Sequence, residues 1–243
     1  MFGKSKLAML VAELVGTTVL TLVFLSIRVS GIGYPFFVAI GAGLAVAALT
    51  LAVGATSGAQ FNPALTLGLW TARKIKTAPA IVYIGMQLLG GAIAYWLYIY
   101  LVKNHLQSSA GHFQARTMIA EAIGTFIFVW GWAAASARKF TGLQFAAAAG
   151  GAFTIGIIVA SLASGGIINP AIALGNRAWG WGTYVLGPVI GGIVAAYTQA
   201  YLFTGTEVSE APVASVAAAR TVSASSTVKA KKSTKTTKAS KKK

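Results

Sequence analysis

The sequence predicts an all-α membrane protein in which six transmembrane helices and two re-entrant half-helices form an inverted repeat. Three observations lead there. Of the 243 residues, 56% are hydrophobic and 10% are charged, whereas a soluble domain typically carries about 25% charged residues. Six apolar stretches are long enough to cross a hydrocarbon layer, which takes roughly 20 helical residues. Two shorter segments, each containing Asn-Pro-Ala, occupy equivalent places in a sequence that repeats itself.

The six stretches run over about 7–27, 35–54, 79–102, 117–136, 143–163 and 181–203. Lys4 and Lys6 precede the first, as in a secretory leader, but the run is long and no small-x-small cleavage site precedes Arg28. It is read as a retained span. Aromatic residues gather near span ends (Tyr34, Tyr95 to Tyr100, Trp179, Trp181, Tyr201), where interfacial anchors sit. Gly90, Gly91, Gly187, Gly191 and Gly192 would let helix backbones approach closely.

Residues 55–70, ATSGAQFNPALTLGLW, and 164–176, SGGIINPAIALGN, are mildly apolar but too short to cross as helices. Asn is a good N-cap, and Pro suits the first helical turn because its missing N–H has no partner there anyway. Short helices are therefore expected to start at Asn62 and Asn169. At membrane depth, the irregular backbone before them survives only if it is buried in protein or lines a watery cavity. The repeat is explicit. Ala12-Glu13-Leu14-Val15-Gly16-Thr17 matches Ala120-Glu121-Ala122-Ile123-Gly124-Thr125 at an offset of 108. Asn62-Pro63-Ala64 matches Asn169-Pro170-Ala171 at an offset of 107. Each half, about 7–102 and 117–203, holds three spans, an odd number, so the halves insert in opposite senses. The half-helices then enter from opposite faces and can meet near the midplane.

Charge sets orientation and excludes other classes. Residues 1–205 carry eleven Lys/Arg but only two acidic residues, Glu13 and Glu121, at the same repeat position within spans. A carboxylate at membrane depth is costly, and so implies a role. It can relay protons, or it can accept hydrogen bonds from the irregular backbone; the second reading is favoured because unwound backbone needs partners there. With the N-terminus in the cytoplasm, sixteen basic residues fall inside and four outside, or seven against four without the C-terminal segment; the positive-inside bias places both termini in the cytoplasm. Cysteine is absent, and His105 and His112 lie in a polar stretch, so no metal site is expected.

These residues resemble the major intrinsic protein family, the aquaporins and glycerol facilitators. The resemblance covers about 7–203, through the paired Ala-Glu-x-x-Gly-Thr and Asn-Pro-Ala motifs, Tyr83 and Gln87-Leu88-Leu89-Gly90 in the third span, and Tyr184 to Pro188 with Gly191 in the sixth. It implies a right-handed bundle, usually tetrameric, in which Asn62 and Asn169 donate side-chain N–H groups to molecules in single file. Pro63, Ala64, Pro170 and Ala171 complete the two motifs. The family's common second motif ends in Arg, whereas Ile172 stands here. Counting from the two Asn residues, the resemblance puts the other positions of the outer selectivity filter at Ala42, Ile157 and Gly166. A filter of these four would be wider and apolar, without the aromatic and His of water-selective members. Gln60 replaces the His common two residues before the first Asn, and the Asp that follows the motif Arg in glycerol facilitators is absent. Arg177 lies eight residues past Asn169, about 12 Å along a helix, too far to substitute.

The expected function is a passive channel for water and small neutral solutes such as glycerol or urea, excluding ions and protons through the paired half-helices. No cofactor is expected, and no enzyme, because nothing resembles a nucleophile–base pair. The alternatives are a proton-coupled or facilitative carrier using Glu13 or Glu121, and a scaffold acting through its basic tail. Residues 1–205 are expected to form the channel domain. Residues 206–243, with nine Lys/Arg, two Glu and no aromatic residue, should form a disordered cytoplasmic tail. The tail's lysines could touch anionic lipid weakly. Nucleic acid is not expected as a partner, since a charge run carries no sequence preference.

Overall fold

The computed structural model describes residues 4–33, 35–107 and 113–203. Tyr34, His112 and the segment 206–243 lie outside the described residues, and with them the reading of a disordered tail. The described residues fall in one compact unit, Met1–Thr204. Their regular structure is helical, with no strand among them.

Two runs of four elements build the bundle. The first holds α1 (Lys4–Ser30), α2 (Phe36–Ser57), the short α3 (Pro63–Thr71) and α4 (Thr77–Val102). The second holds α5 (Ala115–Ala137), α6 (Gly142–Ala160), the short α7 (Pro170–Gly175) and a last span, Gly182–Phe203. Six of these helices are long and apolar enough to cross a membrane. The last span is regular only at its centre, α8 (Gly187–Thr198), between wide π-type turns at Gly182–Leu186 and Gln199–Phe203. Pro188 lies just inside α8, where its missing N–H and its ring disfavour a regular ladder with the preceding turn.

Packing repeats as the sequence does. Helix α1 lies against α2 and α4, and α5 against α6 and α8. The halves are joined where α2 meets α6, α3 meets α8, and α4 meets α7. Apolar surface does not drive helices together in lipid, so close backbone approach has to supply the contact. Two glycine pairs provide it at equivalent positions. A Cβ on Gly91 would collide with the carbonyl of Ala171, and one on Gly192 would lie 2.5 Å from that of Ala64. Their neighbours Gly90 and Gly191 press on the carbonyls of Leu14 and Ala122, again one repeat apart. Each half-helix is thus wedged against a glycine of the opposite half. The outward surface carries Leu44, Ile81, Trp96, Leu101, Leu143 and Leu162, all exposed, as suits a chain whose surroundings are hydrocarbon.

Candidate functional site

The two half-helices start at the expected residues, back to back. Asn62 and Asn169 are the N-caps of α3 and α7, both in extended backbone conformation. Each side-chain Oδ1 accepts from its own helix: Asn62 from the Ala64 N–H at 2.9 Å, Asn169 from the Ala171 N–H at 2.9 Å and the Ile172 N–H at 3.4 Å. Each amide also reaches across the repeat. Asn62 Nδ2 donates to the carbonyl of Ile168 at 3.0 Å, and Asn169 Nδ2 to that of Phe61 at 2.9 Å. A primary amide has two N–H donors, so this clasp takes one from each Asn. Pro63, Ala64, Pro170 and Ala171 are all buried at the junction.

The backbone leading into each Asn is unusual. Phe61 and Ile168 have φ of 48° and 44°, and Ala59 and Gly166 φ of 51° and 61°. A β-branched residue such as Ile168 adopts left-handed backbone only when its surroundings hold it there. The two intramembrane carboxylates face these residues. Glu13 accepts from the N–H groups of Gln60 at 3.0 Å and Phe61 at 2.8 Å, and from Gln87 Nε2 at 2.8 Å. Glu121 accepts from Ile167 N–H at 2.9 Å, Ile168 N–H at 2.6 Å and Ser164 Oγ at 2.7 Å. Both carboxylates are fully buried. Each one gathers the N–H groups that its left-handed turn leaves without helical partners.

Further residues complete this network. Ser57 Oγ accepts from Ala59 N–H at 3.1 Å and Ser164 Oγ from Gly166 N–H at 2.8 Å; the two serines are one repeat apart and open the two irregular turns alike. Thr66 donates to Gln60 Oε1 at 2.7 Å. Tyr83 donates to the carbonyl of Ser57 at 3.0 Å. The sequence signal that could have found the serines is their place in the 107-residue offset.

Ala42, Ile157 and Ile172 share one buried apolar cluster, and none has exposed surface. Gly166 abuts Ile157, whose carbonyl would lie 3.0 Å from a Cβ added to the glycine. The cluster that holds Ala42, Ile157 and Ile172 also contains Leu65 and Leu69 of α3. Arg177 is elsewhere: its guanidinium donates to the carbonyl of Leu106 at 3.1 Å and lies 5.7 Å from the centre of the Tyr95 ring. A cavity of about 630 Å³ lies at the basic face, lined by Lys74, Lys76, Gln60, Tyr83 and Trp132 among others. His105 is exposed. Among the described residues no group of three or more His, Cys, Asp or Glu could hold a metal ion.

Six membrane-crossing helices and two half-helices clasped tip to tip define an integral membrane protein built as an inverted repeat around a central junction. Residues 3–199 match the family described as Major intrinsic protein. The chain is similar to Aquaporin AqpM of Methanothermobacter thermautotrophicus, 32% identical over 195 residues, covering 71% of this chain and 78% of that one. It is also similar to human Aquaporin-4, 30% identical over 181 residues, 66% of this chain and 54% of that protein. Among solved structures, the aquaglyceroporin from Plasmodium falciparum shares the fold with a TM-score of 0.67 and 22% identity, over 81% of this chain and 96% of that one. The chain belongs to the major intrinsic protein family; it is a membrane channel for water or small solutes, and not an enzyme.

Proposed function

We propose that the chain passes water and small uncharged solutes, glycerol or urea among them, in single file past Asn62 and Asn169, and excludes ions and protons at that point. The observation that carries this is the reciprocal clasp. Each Asn amide gives one N–H to the opposite half and retains a second donor at the junction of two helix N-termini. Helix N-termini carry partial positive charge, which disfavours cations and hydronium, and paired donors orient a passing water so that a proton wire is interrupted. Selectivity by lining donors and half-helix dipoles is a known device of such pores.

In this reading Ala42, Ile157, Gly166 and Ile172 form the outer selectivity filter, Glu13 and Glu121 are structural braces, and the face with Arg73, Lys74, Lys76 and Arg138 is cytoplasmic together with both termini. Residues 1–205 are the channel domain, the chain assembles as a homotetramer, and residues 206–243 are a cytoplasmic tail that touches anionic lipid weakly. A carrier using the two Glu residues is disfavoured, because each carboxylate already receives three donors from the protein. Stopped-flow light scattering on proteoliposomes tests the proposal by comparing water, glycerol, urea and ammonia, with and without a proton gradient. Uncharged-solute flux that is indifferent to the gradient, with no ion conductance, is expected. Gradient-driven uptake, or a measurable cation current, would overturn it.

A further inference from the structure

We infer that passage through this chain is limited by an aromatic pair, Phe128 of α5 and Phe153 of α6, which forms a constriction one helical turn from Ile157. The inference rests on the channel reading above and names residues outside both Asn-Pro-Ala motifs and the four filter positions.

Helix geometry places both rings toward the junction. Phe128 lies seven residues after Glu121 and three after Thr125, and residues so spaced share a helix face. Glu121 and Thr125 both bond to the irregular segment before Asn169, Glu121 through the N–H groups already given and Thr125 Oγ1 through the Ile168 carbonyl at 3.3 Å. Phe153 lies four residues before Ile157, on the face of α6 that meets Gly166. The two rings meet edge to face, with centroids 4.8 Å apart and planes at 82°, the favoured geometry for an aromatic pair. Their exposures are 1% and 0%. They belong to the same buried cluster as Leu20, Val46, Ala42, Ile157 and Ile172.

The shape of the basic-face cavity agrees. It reaches inward to Gln60, two residues before Asn62, and to Trp132, one turn past Phe128, but Phe128, Phe153 and the two Asn residues are not in its wall. Small side chains at Ala42 and Gly166 would leave the outer filter wide; on this inference the rings narrow the path one turn deeper. Ring carbons offer no strong hydrogen bond, so a solute crossing here sheds partners without replacement. The pair thus selects small, weakly hydrated molecules and slows polyols, whatever the width at Ala42 and Ile172.

The test uses the absence of cysteine from the sequence. Phe128→Leu, Phe153→Val and Phe153→Cys are reconstituted, with the exposed Phe36→Leu as control, and glycerol and water flux are read by stopped-flow scattering. The inner variants should raise glycerol flux roughly tenfold, the factor that a barrier lower by about 1.4 kcal/mol gives, and should raise it more than water flux; Phe36→Leu should leave both unchanged. Treating Phe153→Cys with a benzyl-sized thiol reagent should return its flux toward that of the unaltered chain, a reversal that a merely loosened fold would not show. If the unaltered chain conducts and the folded inner variants conduct no better, the constriction is refuted while the channel reading stands. If neither the unaltered chain nor the variants conduct, both fall.

Discussion

Replacing Glu121 by Gln isolates the role of the intramembrane carboxylate, because it preserves shape and removes one acceptor. In the native chain Oε1 accepts from Ser164 Oγ and Ile167 N–H, and Oε2 from Ile168 N–H. A glutamine has one carbonyl oxygen and an NH2 group that only donates. With its oxygen at the Oε1 position it orphans the Ile168 N–H; turned over, it orphans the Ile167 N–H, while the Ser164 hydroxyl can accept from the new NH2 and donate to the Ala160 carbonyl. One buried donor without a partner costs about 1–3 kcal/mol. For a folded body of about this size a change of 1 kcal/mol moves the unfolding midpoint by roughly 2–4 °C, so the variant should melt roughly 2–12 °C lower in detergent. Solute flux at a temperature well below the midpoint should keep its indifference to a proton gradient. An unchanged midpoint would refute the bracing argument. A normal midpoint together with altered dependence on a proton gradient would make Glu121 a proton site and favour the carrier. Glu13→Gln should behave alike, since it too would leave one of its three donors unserved.

Gly192→Val should prevent assembly of the native bundle, because even its Cβ would lie 2.5 Å from the Ala64 carbonyl; the check is recovery of a monodisperse species in gel filtration, and a well-behaved, conducting Gly192→Val protein would contradict the wedge. Ile172→Arg, in the first turn of α7, should lower glycerol and urea flux relative to water in stopped-flow assays, and an unchanged solute profile would mean that the filter lies elsewhere. Truncation after Thr206 removes all nine basic residues of the terminal segment; it should leave permeability intact and weaken salt-sensitive association with anionic vesicles, to which such lysines contribute roughly 1 kcal/mol each. Loss of flux on truncation would instead place the tail in the pore or its gate.

Much of the architecture was legible because membranes narrow the choices. Span length, the alternation of basic segments and the doubled motif were enough to place six helices and to start the half-helices at Asn62 and Asn169. The Glu residues were visible because they are the sole acids in 1–205, and their partners followed from asking where unwound N–H groups could bond. Other features leave no such trace. Left-handed backbone at Phe61 and Ile168 contradicts local preference and is held by carboxylates 48 and 47 residues earlier in the same half, which capture these N–H groups. The π-type turns flanking α8 have no periodic signal in the sequence. The meeting of Phe128 with Phe153 was hidden as well. A helix that is apolar all round has no stripe to show which side faces inward, and the facing was read only by tracing Glu121, Thr125 and Ile157 to their contacts.

The clasp also explains why both halves have to keep the same device. Asn62 bonds to the carbonyl of Ile168, whose N–H is held by Glu121; Asn169 bonds to the carbonyl of Phe61, whose N–H is held by Glu13. Each left-handed residue is therefore gripped from both sides, its N–H by the carboxylate of its own half and its carbonyl by the asparagine of the other. Releasing either grip frees a left-handed residue that has no local reason to stay there, and the freed carbonyl or N–H then lies in a medium with few alternative partners. Damage to one half should accordingly displace the donor supplied by the other. The two Glu residues and the two Asn residues form one closed unit across the repeat, so effects of paired changes within it should depart from additivity, as expected for groups in a shared hydrogen-bond network.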